Sequence, residues 1–251
     1  RMKDKKVAII RARMTSRRLP GKVLKPLCGA PLLERMLERL KHVRGLDAIC
    51  LAVPEGAAHD PIVAAAPNFV RIFRGDENNV LERTYKAARY MNAKTIMRIT
   101  SDCPVFDPEI SGDVLSVFCN SNVAYARTAF ISGYPHGFDT EVFSFDALSK
   151  AHHEARLQDE REHVTPFIWR RPSRFPMVEL DYRPDRRHWR LTVDTWEDYE
   201  LISKIYDYLY PQNSLFGLRS LEDLFNANPK LLKINHNVDH PLLLGTPGAT
   251  I

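Results

Sequence analysis

The stretch Val7-Ala-Ile-Ile-Arg-Ala-Arg-Met-Thr-Ser-Arg-Arg-Leu-Pro-Gly-Lys22 decides how the rest of the sequence is interpreted. Its apolar start predicts a buried strand, and the residues from Arg11 to Lys22 predict a loop with four arginines, one lysine and a Pro-Gly turn. Backbone N–H groups in such a loop can form a concavity for anions, and cationic side chains neutralise the bound charge. A solvated basic loop is the alternative. Because ligands of open α/β sheets bind beyond the carboxyl ends of the strands, the position favours a nucleoside triphosphate.

The loop carries neither of the two common phosphate-binding motifs. No Gly-x-Gly-x-x-Gly follows the first predicted strand, and no Gly-x-x-x-x-Gly-Lys-Ser/Thr is present. A dinucleotide-binding fold and a P-loop mechanism are therefore unsupported.

Length and composition are ordinary for a globular protein. The chain has 251 residues, of which 44% are hydrophobic and 27% charged, which suits one large α/β domain or two small ones. No apolar run approaches the roughly 20 residues that span a bilayer, and the first residues carry charge without an apolar segment. We therefore expect no membrane span, no signal peptide and a cytoplasmic location.

Cysteine spacing and net charge indicate which kinds of site and binding partner to expect. The four cysteines lack a Cys-x-x-Cys pair, which predicts reduced thiols and neither a zinc site nor a disulfide framework. The net charge is +5, but the basic residues are spread along the chain and no aromatic-interleaved RNA-binding motif is present. We therefore expect an anionic small molecule as partner, and no nucleic acid.

Strand-like and helix-like segments alternate through the first half of the chain. The pattern predicts strands over 7–10, 48–53, 69–73, 95–99 and 123–126, and helices over 32–43, 80–91 and 108–118. Repeated alternation of this kind predicts an α/β fold with a mostly parallel central sheet covered by helices.

The second half is less regular. It predicts strands over 140–145, 175–181 and 189–193, and helices over 145–154, 160–169, 197–208 and 220–226. From Pro229 onward the signals fade, and no interdomain linker is present. We therefore predict a single domain over residues 5–228 and a loop-like C-terminal tail over 229–251.

Two isolated aspartates each follow an apolar segment. Asp102 follows the predicted strand that contains Ile99, and Asp194 follows the run Arg190-Leu-Thr-Val. Magnesium is commonly held by one or two carboxylates together with phosphate oxygens and water. Each aspartate taken alone is as well explained as a helix N-cap, whereas the pair favours a metal site. Thr195 is a predicted N-cap, with Asp198 as its capping-box partner.

The loop resembles the N-terminal motif of the CMP-sugar synthetases, which include 3-deoxy-manno-octulosonate and acylneuraminate cytidylyltransferases. The spore coat polysaccharide biosynthesis protein F group of that superfamily is the most similar. The residues that carry the resemblance are Arg13, Ser16, Arg18, Leu19, Pro20, Gly21 and Lys22. The family also carries metal-binding aspartates in Asp-x-Pro and Asp-Thr-x-x-Asp elements, and Asp102 and Asp194 occupy those places.

Three further segments resemble the spore coat group in the same order. They are Gly75-Asp-Glu-Asn-Asn-Val-Leu-Glu-Arg83, Gly137-Phe-Asp-Thr-Glu-Val-Phe143 and Glu160-Arg-Glu-His-Val-Thr165, so the resemblance spans about residues 5–210. It implies a Rossmann-like three-layer nucleotidyltransferase fold of the nucleotide-diphospho-sugar transferase type. His136, Phe138 and Thr140 depart from the residues expected for the group, which leaves the identity of the acceptor open.

The resemblance also implies a reaction and a homodimer. An acceptor oxygen would attack the α-phosphate of CTP, giving a CMP-linked product and pyrophosphate. In-line positioning and neutralisation of oxygen charge matter most in such chemistry. Lys22, Arg13 and Asp102 are the predicted catalytic residues, and Mg²⁺ on Asp102 and Asp194 would act as Lewis acid and template.

The predicted contacts fall into two groups. The nucleotide contacts are Arg11, Ala12, Arg13, Ser16, Arg18, Gly21, Lys22, Arg83, Arg98 and Asp102. The acceptor contacts are His136, Asp139, Glu141 and His163. Plain alternatives remain for several of them: Arg83 on a solvated helix face, Asp139 and Glu141 on a solvent-facing strand, and His163 at the surface or an interface.

Three other functions are open at this point. A sugar-1-phosphate nucleotidyltransferase using UTP or GTP shares much of the architecture. A glycosyltransferase of related fold usually shows an Asp-x-Asp motif, which Asp102-Cys-Pro lacks. A non-enzymatic nucleotide-binding protein of a polysaccharide pathway would bind CTP without releasing pyrophosphate.

Overall fold

The computed structural model describes residues 4–128 and 133–239. The strands are β1 (Lys6–Arg11), β2 (Pro26–Leu27), β3 (Ala30–Pro31), β4 (Ala48–Pro54), β5 (Arg71–Gly75), β6 (Thr95–Arg98), β7 (Tyr125–Thr128), β8 (Glu141–Ser144) and β9 (Met177–Leu180). The α-helices are α1 (Leu32–Leu40), α2 (Asp60–Ala65), α3 (Val80–Tyr90), α4 (Pro108–Asn120), α5 (Phe145–Glu154), α6 (Gln158–His163), α7 (Pro166–Trp169), α8 (Trp196–Leu209) and α9 (Leu218–Ala227).

A central sheet organises these elements in the order β5-β4-β1-β6-β8-β7-β9. Every neighbouring pair in it is parallel except the two pairs that involve β8, which runs antiparallel to both β6 and β7. The chain moves outward from β1 to β4 and β5 on one side, and then returns to add β6 on the other. The strand order therefore reverses between β1 and β6, which is where open α/β sheets bind their ligands.

Helices cover both faces of the sheet. Along β1, Ala8 and Ile10 pack into a core with α1 and α4, whereas Val7 and Ile9 pack into a second core with α3 and α5. Successive side chains of a strand point to opposite faces, so an entirely apolar strand such as β1 belongs in the middle of three layers. The predicted α/β class with a mostly parallel central sheet is confirmed.

A third apolar cluster lies between α8, α9 and residues 19–32, which include the end of the loop after β1 and the start of α1. Leu201, Ile202 and Ile205 of α8 are buried there together with Leu19 and Leu32. This cluster attaches the C-terminal helices to the start of the chain. It therefore brings the residues that precede α8 next to the loop that follows β1.

Two of the predicted elements are wrong in detail. Residues 160–169 are not one helix: α6 ends at His163, Val164 has φ +74°, and α7 begins at Pro166, which has no N–H with which to continue the earlier helix. Residues 189–193 do not form a strand of the sheet. Arg190 forms an isolated β-bridge with His136 instead.

The start of the predicted tail is ordered. Pro229–Lys233 form a short 3₁₀ helix, Leu231 is buried in the third cluster, and the buried Asn235 donates to a carboxylate oxygen of Asp198 at 2.9 Å. Residues 240–251 lie outside the described residues, and the boundary after residue 228 stays a prediction. Within 4–128 and 133–239, no helix combines the length and apolarity of a bilayer span.

Candidate active site

The loop after β1 is anchored at both ends and exposed in the middle. Ala12 and Leu19 are buried, and the Gly21 N–H donates to the Met14 carbonyl at 3.1 Å. Gly21 has φ +67°, which a residue without a Cβ adopts at little cost. A Cβ there would meet only Met14 at 3.6 Å, so backbone conformation and not space favours glycine. Between these anchors the loop leaves Arg13, Arg17 and Arg18 exposed.

Lys22 lies at the centre of the site, and 9% of its surface is exposed. Its Nζ lies 2.9 Å from a carboxylate oxygen of Asp194, 3.2 Å from one of Asp102 and 2.7 Å from the Val193 carbonyl. Burial alone would lower the pKa of this ammonium, but the two carboxylates outweigh burial and raise it. The predicted loop lysine therefore joins the two predicted aspartates.

Asp102 follows β6, as expected from the sequence. Its carbonyl accepts from the Val193 N–H at 2.8 Å and from the Thr192 hydroxyl at 3.2 Å, which fixes the segment before α8 against the end of β6. Burial would raise the pKa of the Asp102 carboxyl, but the Lys22 ammonium and the Thr100 hydroxyl together hold it well below its ordinary value. Asp102 therefore stays ionised.

Asp194 reaches the same point from an irregular segment, not from the strand that the sequence predicted. Arg190 donates to Asp194 at 2.9 Å and to Asp198 at 2.9 and 3.0 Å, and the exposed Arg18 lies 3.2 Å from Asp194. A buried carboxylate, Asp198, thus holds the guanidinium that orients Asp194. Hydrogen bonds to charged partners take the place of a strand ladder here.

Neither predicted metal aspartate caps a helix. The N-cap of α8 is Thr195, whose hydroxyl accepts from the Asp198 N–H while Asp198 accepts from the Thr195 N–H, so the predicted capping box is confirmed. The N-cap of α4 is Asp107. The capping alternative is therefore wrong for both Asp102 and Asp194, which leaves their carboxylates facing Lys22.

Residues at the start of α3 also border the site. Asn79 caps this helix, and Asp76 accepts from the N–H groups of Asn78 and Asn79 at 2.7 Å. Arg83 donates to the carbonyls of Asp76 and Glu77, so the solvated-face alternative is wrong for it. Burial, aided by the positive charge of Arg13, lowers the pKa of Arg83 to about 10.

Arg98, a predicted nucleotide contact, is buried and pairs with Glu141. Glu141 is buried and also accepts from the Tyr125 hydroxyl and, at 2.6 Å, from the Thr165 hydroxyl. Burial would raise the pKa of Glu141, but Arg98 and the two hydroxyls lower it. The solvent-facing alternative is thus wrong for Glu141, and its carboxylate is occupied by protein groups.

The remaining predicted acceptor residues lie in two different places. Asp139 precedes β8 instead of alternating with Glu141 along it; it accepts from the Gly137 N–H at 3.0 Å and lies 3.5 Å from a ring nitrogen of the buried His136. His163 is at the end of α6 and faces the cavity. Burial lowers the pKa of His163.

One cavity of about 520 Å³ collects most of these groups. The predicted residues that line it are Arg11, Ala12, Arg13, Ser16, Arg18, Lys22, Arg83, Asp102, His163 and Asp194. Gly21, Arg98, His136, Asp139 and Glu141 do not line it. The sequence analysis did not single out nine further lining residues, although five of them (Arg17, Glu77, Asn78, Val80 and Glu162) lie within the quoted segments. The other four are Val23, Thr100, Ser101 and Gln158. Arg190 was also missed, although its spacing of four residues from Asp194 is a signal.

The charge of the cavity suits a polyanion. Six cationic side chains line it (Arg11, Arg13, Arg17, Arg18, Lys22 and Arg83) against four carboxylates (Glu77, Asp102, Glu162 and Asp194), an excess of two positive charges. Among the residues that the structure describes, no cluster of three or more His, Cys, Asp or Glu side chains is placed to hold a metal ion. A metal at Asp102 and Asp194 would therefore need ligands from a bound molecule or water.

Comparisons with known proteins cover nearly the whole chain. A family model described as cytidylyltransferase matches residues 7–226. An uncharacterized protein of Methanocaldococcus jannaschii is 36% identical over 236 residues, covering 92% of this chain and 95% of its own length. The spore coat polysaccharide biosynthesis protein SpsF of Bacillus subtilis is 32% identical over 229 residues, covering 88% of this chain and 94% of its own. The solved structure of a cytidylyltransferase from Leptospira borgpetersenii superposes with a TM-score of 0.86 at 31% identity, over 91% of this chain and 96% of that one.

Proposed function

The chain belongs to the cytidylyltransferase family, and on that premise we propose that it transfers CMP from CTP to an oxygen of an anionic sugar acid or related acceptor. Pyrophosphate is the other product. The resemblance of the motifs to 3-deoxy-manno-octulosonate cytidylyltransferases supports a sugar acid. The likeness to SpsF, named for spore coat polysaccharide biosynthesis, supports a role in making surface polysaccharide or glycoconjugate.

The observation that carries this proposal is the meeting of the basic loop with two carboxylates in one cavity. Arg13 and Arg18 are exposed on the loop, and Lys22 lies between Asp102 and Asp194. Arginine and lysine at this position hold the β- and γ-phosphates and stabilise the leaving pyrophosphate. The backbone of Ala12 and the hydroxyl of Ser16 line the cavity and complete the loop around the phosphates, whereas Gly21 shapes the turn of the loop.

The carboxylates fit a magnesium ion. Asp102 and Asp194 each direct one oxygen at the same ammonium, so the position between them stabilises a cation, and carboxylate oxygens are the hard donors that Mg²⁺ prefers. These two residues would hold the ion, which when bound supplies a Lewis acid at the α-phosphate. Arg190 and Asp198 keep Asp194 in place for this role.

The acceptor enters from the side of α6. His163 lines the cavity there, and we retain it as an acceptor contact. His136 and Asp139 pair with each other outside the lining and stay predictions, whereas the ion pair with Arg98 removes Glu141 from the proposed contacts. The protein acts as a cytoplasmic homodimer in this proposal, and light scattering tests the dimer.

Pyrophosphate release tests the proposal directly. The protein is incubated with CTP, Mg²⁺ and a panel of nonulosonic acids, other sugar acids, phosphorylated small molecules and phosphonates. We expect release with CTP and at least one acidic acceptor, and none when Mg²⁺ is chelated. Release with UTP or GTP and a sugar 1-phosphate, but not with CTP, would instead identify a sugar-1-phosphate nucleotidyltransferase.

A further inference from the structure

Arg11 occupies a special place in the sheet. It is the last residue of β1, and Arg98 is the last residue of β6, the neighbouring parallel strand. The strand order reverses between these two strands, so both residues lie at the sheet edge where open α/β sheets bind ligands, and Arg11 is the one that lines the cavity. Arg11 precedes the exposed part of the loop and lines the cavity.

The charge around Arg11 is not balanced. Arg11 donates to the Glu162 carbonyl at 3.2 Å, Arg83 donates to two backbone carbonyls, and Arg98 pairs with Glu141. Of these three guanidinium groups in the described part of the chain, only that of Arg98 forms an ion pair with a carboxylate. Within the described part of the chain, Nε of Arg83 and both Nε and Nη2 of Arg98 are buried without a hydrogen-bond partner.

The Asp102 carboxylate, whose charge is favourable to Arg11, already has the Lys22 ammonium as a partner at 3.2 Å. Burial, together with the positive charges of Arg98 and Arg83, lowers the pKa of Arg11 well below its ordinary value. Because arginine keeps its proton in proteins, this site favours binding of an anion.

The triphosphate does not need this subsite, because Arg13, Arg18 and Lys22 of the loop already face it in the proposed function. An acceptor that attacks the α-phosphate must place its nucleophilic oxygen near Asp102 and Asp194. A negatively charged group elsewhere on the same acceptor can then reach Arg11. A guanidinium binds carboxylates and phosphoryl groups through paired N–H donors, which gives it orientation as well as affinity.

We propose that Arg11, backed by Arg83 and Arg98, binds an oxyanion group carried by the acceptor and so selects acidic acceptors. This assigns to the acceptor a residue that the sequence placed with the nucleotide. The inference rests on the proposed CMP transfer, since only that reaction brings an acceptor beside CTP. Carboxylate and phosphoryl groups share the recognition chemistry, and two probes separate them.

The experiment uses the full chain saturated with CTP and Mg²⁺, so that the loop is occupied. Inorganic phosphate and acetate are titrated separately while the melting temperature is followed, with sodium chloride of matched ionic strength as the reference. We expect at least one anion to raise the melting temperature beyond the chloride reference. In Arg11→Gln the response should weaken by about tenfold or more in anion concentration, as expected for loss of a charge-assisted hydrogen bond.

Two further variants sharpen the result. Arg89→Gln, on an exposed arginine at the end of α3, should respond like the wild type. Arg11→Lys keeps the charge but loses the paired donors, so its response should fall between those of the wild type and Arg11→Gln. The dissociation constant of CTP, measured by calorimetry, should change less than about twofold in both Arg11 variants, because neither variant is expected to lose a contact with CTP.

The contrary results are distinct from one another. An anion response that is absent in the wild type, or unchanged in both Arg11 variants, overturns the inference while CTP binding stands. A tenfold loss of CTP affinity in Arg11→Gln with the anion response retained returns Arg11 to the nucleotide. Failure of the wild type to bind CTP at all overturns the proposed function, and this inference with it.

Discussion

Two sets of arginines differ in their place and in their partners: one set lines the cavity, and the other lies outside its lining. Arg13, Arg17 and Arg18 of the loop are exposed, whereas Arg98 and Arg190 are buried and hydrogen-bonded to carboxylates. A buried charge that loses its partner is expensive, whereas an exposed charge is solvated and can turn to a ligand at little cost, even where it is paired as Arg18 is with Asp194. We therefore propose that the buried set maintains the site and the exposed set binds the nucleotide, with Lys22 belonging to both.

The largest effect on stability is expected at Asp198. Asp198→Ala leaves the buried Arg190 without its principal carboxylate and removes half of the capping box, which should lower the free energy of unfolding by about 3–5 kcal/mol. Denaturant unfolding measures the change. Asp185→Ala is the matched control, since Asp185 forms an exposed pair with Arg187 and its loss should leave stability nearly unchanged. Equal losses of unfolding free energy in Asp198→Ala and Asp185→Ala would show that the buried and the exposed arginines depend equally on their carboxylate partners.

Lys22→Met should affect both stability and chemistry. Loss of one preorganised electrostatic contact raises the barrier by about 2.7–4 kcal/mol, which is measured as turnover of CTP with the acceptor found by the panel. Asp102 and Asp194 also lose their shared cation, so the melting temperature should fall, and Mg²⁺ without CTP should raise it more than in the wild type. Lys41→Met, at the exposed end of α1, is the control. Normal turnover of Lys22→Met would contradict the phosphate-loop assignment.

Arg18→Gln should weaken nucleotide binding with little effect on the fold. Arg18 is exposed, and a charge-assisted hydrogen bond to phosphate contributes about 1.5–3 kcal/mol. Calorimetric titration of CTP measures the loss, with the exposed Arg44→Gln as the control. The free energy of unfolding should stay within about 0.5 kcal/mol of the wild type. A larger loss of stability than of CTP affinity would place Arg18 in the structural set.

The smallest effect is expected at His163 and depends on pH. Burial lowers the pKa of His163 below 6.5, so the unfolded chain binds more protons than the folded one as the pH falls. The neutral ring therefore contributes stability above about pH 6.5 that is lost below it. His163→Gln should lose less stability than the wild type on going from about pH 7 to about pH 5, whereas the exposed His42→Gln should follow the wild type. Parallel stability curves for all three proteins would contradict this.

The family, the sheet and the loop could be predicted from the sequence because each rests on contiguous residues. The apolar run of β1 and the motif from Arg13 to Lys22 are local signals. The contacts of Asp194 could not be predicted in the same way. The apolar run before Asp194 has the composition of a strand. The position of Asp194 is instead set by Arg190, which Asp198 holds, and by the hydrogen bond from Thr192 to Asp102.

The partners of the buried charged side chains also could not be predicted from the sequence. Glu141 has the alternation of a half-exposed strand, and only the antiparallel pairing of β8 with β6 brings it to Arg98. In the sequence, Gly75-Asp76-Glu77 resembles an ordinary turn before a helix. The burial of Arg83 against the carbonyls of this turn depends on the packing of α3 on the sheet, which the sequence does not show. Contacts between residues far apart in the chain decide which charged side chains already have a partner, and the spacing of residues in the sequence does not show these contacts.

The central claim is that Asp102 and Asp194 act as one magnesium site beside the loop, and a double-mutant cycle on CTP binding tests it most directly. The dissociation constant of CTP is measured by calorimetry with Mg²⁺ and with a chelator for the wild type, Asp102→Asn, Asp194→Asn and the double variant, with unfolding curves in parallel. We expect each single variant to lose the dependence on Mg²⁺ and the double variant to be hardly worse, because two ligands of one ion act as a unit. Retained dependence on Mg²⁺ in both single variants, with additive losses of stability, would contradict the account.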